Sequence, residues 1–251
     1  MSRDDNHLTG VGLDNWGDHF PSTHWSILLE EGSADSATQR LLTRVCDRYW
    51  YPLYAYLRKR GHSSHDAQDL AQGFLCKMLE NDGLAMASPE RGRFRSYLLG
   101  ALKHFENDRR KYDQAEKRGS GRAPVSIEEE LAEERYQNEP ADNLTPEKVF
   151  DREWALALLQ EVIDQLKTEY HQQGKADVFE ALSDYLSVKP EKSTYPQIAE
   201  SLGVSAGNVR VMVNRMRKRY KSILTETISQ TVDSEEDIQK ELQYLFSTFS
   251  D

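Results

Sequence analysis

Side chains that can read DNA bases recur along one side of the segment from Arg210 to Lys218. Arginine can bridge guanine with two hydrogen bonds, asparagine can bridge adenine, lysine can reach phosphate, and an exposed valine suits a thymine methyl. At 3.6 residues per turn these side chains share one face of a helix. We call this face the recognition arc; it consists of Arg210, Val211, Asn214, Arg215 and Lys218. The pattern favours a helix that enters the major groove over a solvated cationic face on an ordinary helical hairpin.

The residues around the recognition arc predict two helices joined by a tight turn. Thr194 and Gln197 form a capping-box pair at the start of the first helix. Gly203 is predicted to end that helix in the left-handed conformation, and Ser205 is predicted to cap the second. The spacing of apolar residues predicts that the second helix packs on the first through Val209, Val213, Met216 and Tyr220. The segment from Ser193 to Lys221 therefore has the organisation of a helix-turn-helix.

Charge is distributed in blocks along the 251 residues, whose formal net charge is −10. The segment from Gly207 to Lys221 has six basic residues and no acidic one, and Arg91 to Arg122 has ten basic residues against four acidic ones. Acidic residues dominate Ser126 to Glu153, with ten against three, and Glu226 to Asp251, with seven against one. The acidic total argues against a protein that coats nucleic acid alone, while the basic blocks confine nucleic-acid contact to two places.

Apolar residues at helical spacing run through most of the chain, and no convincing strand-like alternation interrupts them. The sequence therefore predicts an all-α fold of two helical domains joined by an acidic linker, with an amphipathic helix at the C-terminal end. The predicted divisions are a disordered start (1–19), a first domain (20–112), a linker (113–144), a second domain (145–226) and an acidic extension (227–251).

Cysteine usage and hydropathy indicate a cytoplasmic setting. Cys46 and Cys76 lie within helical patterns and lack a pairing signature, which favours reduced thiols. No apolar run approaches the length of a membrane span, and residues 1–19 lack the apolar core of a signal peptide. We therefore expect a cytoplasmic protein with no membrane association.

The first domain is predicted to consist of amphipathic helices. The first helix should kink or break at Pro52 and end at Gly61. A helix capped by Ser64 should follow, with an outer polar face formed by Asp66, Asp69 and Gln72. The next helix should bury a stripe that includes Phe94, Leu98 and Leu102. The polar residues off that stripe include Lys103, His104, Asn107, Arg110 and Lys111.

The acidic extension contains a further helical pattern. Its apolar residues recur at spacings of four, three and four, at Ile238, Leu242, Leu245 and Phe249. An acidic first turn precedes them, which favours a helix start. Because an exposed apolar stripe seeks burial, we expect this helix to fold back on one of the domains, with the basic recognition arc as the expected contact.

Several of these segments resemble the bacterial sigma-70 family, in particular its compact extracytoplasmic-function type. Tyr51-Pro-Leu-Tyr54, the run Asp66-Ala-Gln-Asp-Leu70 and the segment from Phe94 to Arg110 are similar to sigma domain 2. The segment from Tyr195 to Arg217 is similar to sigma domain 4. A subgroup of this family known from planctomycete-type genomes is resembled in three further places. These are the sequences of Phe20 to Trp25 and Pro89 to Phe94 and the tail after Thr227.

The resemblance implies a transcription initiation factor without cofactor, metal or enzymatic activity. Its partners would be promoter DNA and the clamp coiled coil and flap of core RNA polymerase, with an anti-sigma protein left open. Polymerase contact would fall on Asp66, Asp69 and Gln72. Capture of the melted minus-10 element would fall on Arg95, Tyr97, Lys103, His104, Asn107, Arg110 and Lys111. Reading of the minus-35 element would fall on Ser205, Asn208, Arg210, Val211, Asn214, Arg215, Arg217 and Lys218.

Three other functions remain as alternatives. A stand-alone helix-turn-helix regulator would bind duplex DNA as a dimer without polymerase. A protein that sequesters polymerase would leave the recognition arc unused. A metal-dependent phosphohydrolase could be built on His62, His65 and Asp66, although the sequence offers no matching distant ligands and no phosphate-binding glycine loop.

Overall fold

The computed structural model describes residues 36–80, 94–116, 127–138, 143–186, 194–229 and 235–249. All regular structure in these ranges is helical, which confirms the all-α prediction. The helices are α1 (Ser36–Lys59), α2 (Ser64–Glu80), α3 (Phe94–Glu116), α4 (Ile127–Asn138), α5 (Pro146–Gln172), α6 (Ala176–Leu182) with a following 3-10 turn (Ser183–Leu186), α7 (Tyr195–Leu202), α8 (Ala206–Ser229) and α9 (Glu235–Ser247). The predicted disordered start and the segments 20–25 and 89–93 lie outside the described residues. Within the described ranges, no helix has the length and apolar character to cross a membrane.

The ends of α1 and α2 follow local sequence signals, with two corrections. Of the predicted kink or break at Pro52, the break is wrong, because α1 continues through this residue to Lys59. Gly61 has a φ of 94° and donates to the Arg58 carbonyl oxygen at 2.9 Å, as expected of a left-handed helix end. The predicted cap at Ser64 is displaced by one residue: the Ser63 hydroxyl oxygen accepts the backbone N–H of Asp66 at 3.1 Å.

The core is built around the packing of α1 on α5, the most extensive contact between two described elements. Leu53 and Leu57 of α1 and Leu158 and Val162 of α5 are buried in one apolar cluster. At its edge Arg48 donates to Glu161 at 2.6 Å. This cluster extends across the predicted boundary at residue 145, and the division into two domains remains a prediction.

The acidic linker contains more structure than its composition indicated. The sequence predicted a linker over residues 113–144, but α4 within it is a helix of 12 residues that packs on α2. Arg58 binds the Glu133 carboxylate through two nitrogens, at 2.7 and 2.8 Å, and the Tyr54 hydroxyl donates to it at 2.6 Å. Arg135 forms an ion pair with the buried Glu153. These contacts attach the linker helix to α1 and α5.

The C-terminal helix α9 folds back as expected, but its apolar face is only partly as predicted. Leu245 is buried, and Ile238 and Leu242 are half-buried. Phe249 was expected in the same stripe, yet it is 42% exposed because it lies in the turn that follows the end of α9. The helix packs on α8, although the recognition arc of α8 stays exposed. The expectation that α9 shields this arc is therefore wrong.

Candidate nucleic-acid interface

The turn between α7 and α8 has the predicted geometry. Gly203 has φ 65° and ψ 31°, a left-handed conformation in which its N–H donates to the Glu200 carbonyl oxygen at 3.3 Å. The next N–H, of Val204, donates to the Ala199 carbonyl oxygen at 2.9 Å. This pair of bonds ends α7 and reverses the chain within three residues. The Ser205 hydroxyl then accepts the backbone N–H of Asn208 at 3.2 Å and caps α8.

The two faces of α8 separate as the spacing predicted. Val209, Val213 and Met216 are buried, while Tyr220 is half-buried. All five residues of the recognition arc are exposed, and Val211 is 45% exposed. An arc of two guanidiniums, an amide, an ammonium and an exposed valine offers both base-edge and phosphate chemistry on one helix face. Ser205 and Asn208 are also exposed and lie at the start of α8.

Two arginines of α8 are held by the protein itself. Arg217 is exposed and its Nε donates to the Tyr185 carbonyl oxygen at 2.9 Å; its DNA contact stays a prediction. Arg219 binds both carboxylate oxygens of Glu169 on α5, at 2.7 and 2.8 Å, and also donates to Glu226 at 3.1 Å. The hydrogen bonds from Arg219 lower the pKa of Glu169 below its ordinary value. Both arginines therefore fix α8 against the preceding elements.

The predicted minus-10 residues on α3 fall into two groups. Tyr97 is half-buried, and its ring stacks on Phe94 with centroids 6.4 Å apart. Lys103 donates to Glu147 at 2.9 Å. The residues further along α3 are exposed, namely His104, Asn107, Arg110 and Lys111. Lys111 Nζ lies 3.7 Å from the Asp108 carboxylate. Arg109 is exposed beside them, and its place in a run of three basic residues could have identified it from the sequence.

Arg95 does not have the exposed position that a DNA contact requires. Its side chain is 2% exposed and pairs with Glu241 of α9, which is 1% exposed. Arg95 Nε also lies 3.5 Å from the Asp151 carboxylate. The guanidinium carbon lies over the rings of Trp154 and Tyr244, at 4.1 and 4.4 Å from their centroids. We call Asp151, Trp154, Glu241 and Tyr244 the Arg95 pocket.

Electrostatics keeps the guanidinium in this pocket charged. Burial alone would lower the pKa of Arg95, but the carboxylates of Glu241 and Asp151 outweigh burial and raise that pKa above its ordinary value. Glu241 lies 146 residues from Arg95 along the chain, and no local pattern in the sequence connects the two. In this arrangement two acids and two aromatic rings surround the guanidinium, so Arg95 is not accessible to DNA, and its predicted DNA contact would require a different position of these groups.

The three residues predicted to contact polymerase share an exposed surface of α2. Asp66, Asp69 and Gln72 are all exposed. Asp66 accepts a hydrogen bond from the Ser63 hydroxyl at 2.7 Å, and Asp69 lies 3.7 Å from His65 Nε2. These contacts are local to α2 and its cap, so the outer edge of the face remains accessible to a partner.

The residues of the alternative metal site point to different partners. His62 Nε2 lies 2.9 Å from Glu106, while His65 faces Asp69 and Asp66 bonds Ser63. Among the described residues, no three His, Cys, Asp or Glu side chains gather in a way that could hold a metal ion.

Comparison with known proteins gives no relative, since no family model, curated protein or solved structure matches this chain.

Proposed function

We propose that this protein is a sigma factor that binds core RNA polymerase and directs promoter-specific initiation. The recognition arc carries the proposal: five residues with base or phosphate chemistry are exposed together on α8, behind a capped left-handed turn at Gly203. The residue types alone would suit any helix-turn-helix protein. The sequence resemblance to sigma domains 2 and 4 adds polymerase as the partner and the cytoplasm as the location.

A second basic surface supports a role beyond simple duplex binding. The exposed residues His104, Asn107, Arg110 and Lys111 lie on α3, an element separate from the helix-turn-helix. Melted DNA requires cations along its backbone and planar groups beside its bases, and this surface offers both. A protein with one surface for duplex DNA and one for single strands suits the opening of a promoter.

The decisive experiment is transcription in vitro with purified core polymerase on genomic fragments. We expect initiation that depends on this protein, at start sites that share a pair of upstream motifs. Gel shifts with and without core polymerase distinguish a sigma factor from a stand-alone helix-turn-helix regulator. Tight sequence-specific binding by the free protein at physiological salt, with no effect of polymerase, would indicate a stand-alone regulator.

Reversal of one charge on α2 tests the polymerase contact. We expect Asp69→Lys to abolish co-purification with core polymerase, because Asp69 is exposed and opposes the buried face of α2. Asp177→Lys makes the same charge change at an exposed site on α6 and should leave co-purification intact. Circular dichroism verifies that both variants fold. A folded Asp69→Lys variant that binds polymerase as well as wild type would exclude this face.

A further inference from the structure

The Arg95 pocket buries one of the basic side chains of the segment around α3. Arg95 belongs to the stretch Arg91 to Arg122, which has ten basic residues against four acidic ones. The basic residues Arg109, Arg110 and Lys111 at the far end of α3 are exposed, whereas Arg95 is surrounded by groups of α5 and α9. A guanidinium enclosed in this way cannot contact phosphate or stack beside a base.

The helix α9 supplies the two groups that complete the enclosure. Glu241 pairs with the guanidinium, and the Tyr244 ring covers one side of it. The Tyr244 hydroxyl donates to Asp151 at 2.7 Å, which connects α9 to the α5 side of the pocket. Leu245, the residue after Tyr244, is fully buried and attaches this part of α9 to the core. Displacement of α9 would therefore remove both the paired carboxylate and the ring.

The energetics of the buried pair make α9 a suitable controlling element. A buried ion pair gains little over an apolar contact of the same size, since desolvation of two charges offsets their attraction. The Arg95 guanidinium regains favourable interactions when it reaches DNA phosphates. The Glu241 carboxylate of α9 and the DNA phosphates therefore compete for this guanidinium. The free energy that separates the two states can therefore be small enough for a partner to shift it.

We propose that α9 is an autoinhibitory segment, in which Glu241 holds Arg95 away from single-stranded DNA until α9 is displaced. The proposal rests on the proposed function, because it assigns a regulated state to the minus-10 surface of α3. Contact of Arg95 with single-stranded DNA and enclosure of Arg95 by α9 are mutually exclusive.

The test measures binding of a short single-stranded oligodeoxynucleotide to the full chain by fluorescence anisotropy over a range of salt concentrations. Glu241→Gln removes the paired charge and keeps the side-chain shape. Glu236→Gln is the matched control: it makes the same charge change at an exposed site of α9 that pairs only locally with Lys240 at 2.7 Å. Leu245→Asp displaces α9 by removing its buried apolar anchor. The double variant Arg95→Gln with Glu241→Gln tests whether Arg95 is the cation that contacts DNA.

We expect Glu241→Gln to bind the oligonucleotide about tenfold more tightly than Glu236→Gln, because Arg95 becomes available for a further charge-assisted contact with phosphate. One added phosphate contact should also steepen the slope of log affinity against log salt concentration by about 0.7 for a single strand. Leu245→Asp should show the same two changes, and the double variant should lose both. Faster hydrogen exchange in α9 should accompany each gain.

Equal affinity and equal salt slope for Glu241→Gln, Leu245→Asp and Glu236→Gln would overturn the proposal, provided that exchange in α9 has accelerated in the first two. A gain that persists in the double variant would overturn it as well, since Arg95 would not be the released cation. Failure of the proposed function has a different signature, namely no polymerase-dependent transcription by wild type. An Arg95-dependent gain in that case would support the autoinhibitory segment in a nucleic-acid-binding protein of another kind.

Discussion

The arginine residues of α8 lie in two kinds of surroundings that sequence alone does not separate. Arg210 and Arg215 are exposed on the recognition arc, whereas Arg217 and Arg219 bind acceptors on preceding elements. All four contribute to the same basic segment of the sequence. The contacts of each side chain, not its type, determine whether its loss should change DNA selection or stability.

We expect single substitution of Arg210, Asn214 or Arg215 by alanine to change which upstream bases are required. A bidentate contact with a base contributes about 1 to 3 kcal/mol of discrimination. Lys218→Ala should instead weaken binding on all sequences, because an ammonium group this far along α8 suits phosphate. Selection of bound sequences from a randomised duplex pool, with core polymerase present, measures both effects.

Arg219→Ala provides the control for that experiment. It removes a basic residue from the same helix, but its contacts with Glu169 predict a lower stability and an unchanged base preference. If Arg219→Ala altered base preference while the three substitutions in the recognition arc did not, the arc would be assigned to the wrong face of α8.

Substitution by alanine should have opposite effects on stability at Gly73 and at Gly203. Gly73 lies within α2, and an added Cβ would meet the Phe105 ring at 3.5 Å, an ordinary contact. Because alanine favours the helix interior, we expect Gly73→Ala to raise the free energy of unfolding by about 0.5 to 1 kcal/mol. Gly203→Ala should lower it by about 1 kcal/mol, since φ there is 65°. Urea denaturation of both variants measures the signs, and a destabilised Gly73→Ala variant would show that α2 cannot accept a side chain there.

The attachment of α4 should depend on pH through Glu133. Hydrogen bonds from Arg58, and then from Tyr54, lower the pKa of Glu133 from 4.5 to about 2 against the opposing effect of burial. Since this carboxylate has a lower pKa in the folded protein, its stabilising contribution is complete above pH 4.5 and is lost as pH falls through about 2.

Glu133→Gln should therefore lower the free energy of unfolding near neutral pH by about 1 kcal/mol, a value reduced for solvent screening. The difference from wild type should shrink as the pH falls towards 2. Glu134→Gln, at an exposed neighbouring position, is the control for the loss of a charge from α4. Urea denaturation at a series of pH values measures the difference, and a gap between wild type and Glu133→Gln that stays constant with pH would contradict this account.

Local sequence signals predicted the helices better than their mutual contacts. The burial of Val209 and Val213 and the turn at Gly203 follow from spacing within one or two turns, so the candidate interface on α8 was accessible from the sequence. The pairing of Arg95 with Glu241 joins groups 146 residues apart, and periodicity carries no information at that distance. The linker helix α4 escaped prediction for a similar reason, because its charged residues find their partners on α1 and α5.

Across the whole molecule, we expect the described helices to unfold together. The apolar cluster includes buried residues from α1 to α9 and crosses the predicted domain boundary, and the packing of α1 on α5 joins its two parts. Scanning calorimetry should give one transition with equal calorimetric and van't Hoff enthalpies. Two separable transitions would restore the division into independent domains that the sequence predicts.

The length of α8 has a mechanical consequence. With 24 residues it is about 36 Å long, and it joins the recognition arc near its beginning to Ile223, Leu224 and Ile228, buried near its end. Because the helix is continuous, a rotation of its first turns also moves its last turns. Any ligand that tilts the leading turns must then work against the packing of the trailing turns. By thermodynamic reciprocity, whatever loosens the trailing turns changes the affinity at the leading ones by the same factor.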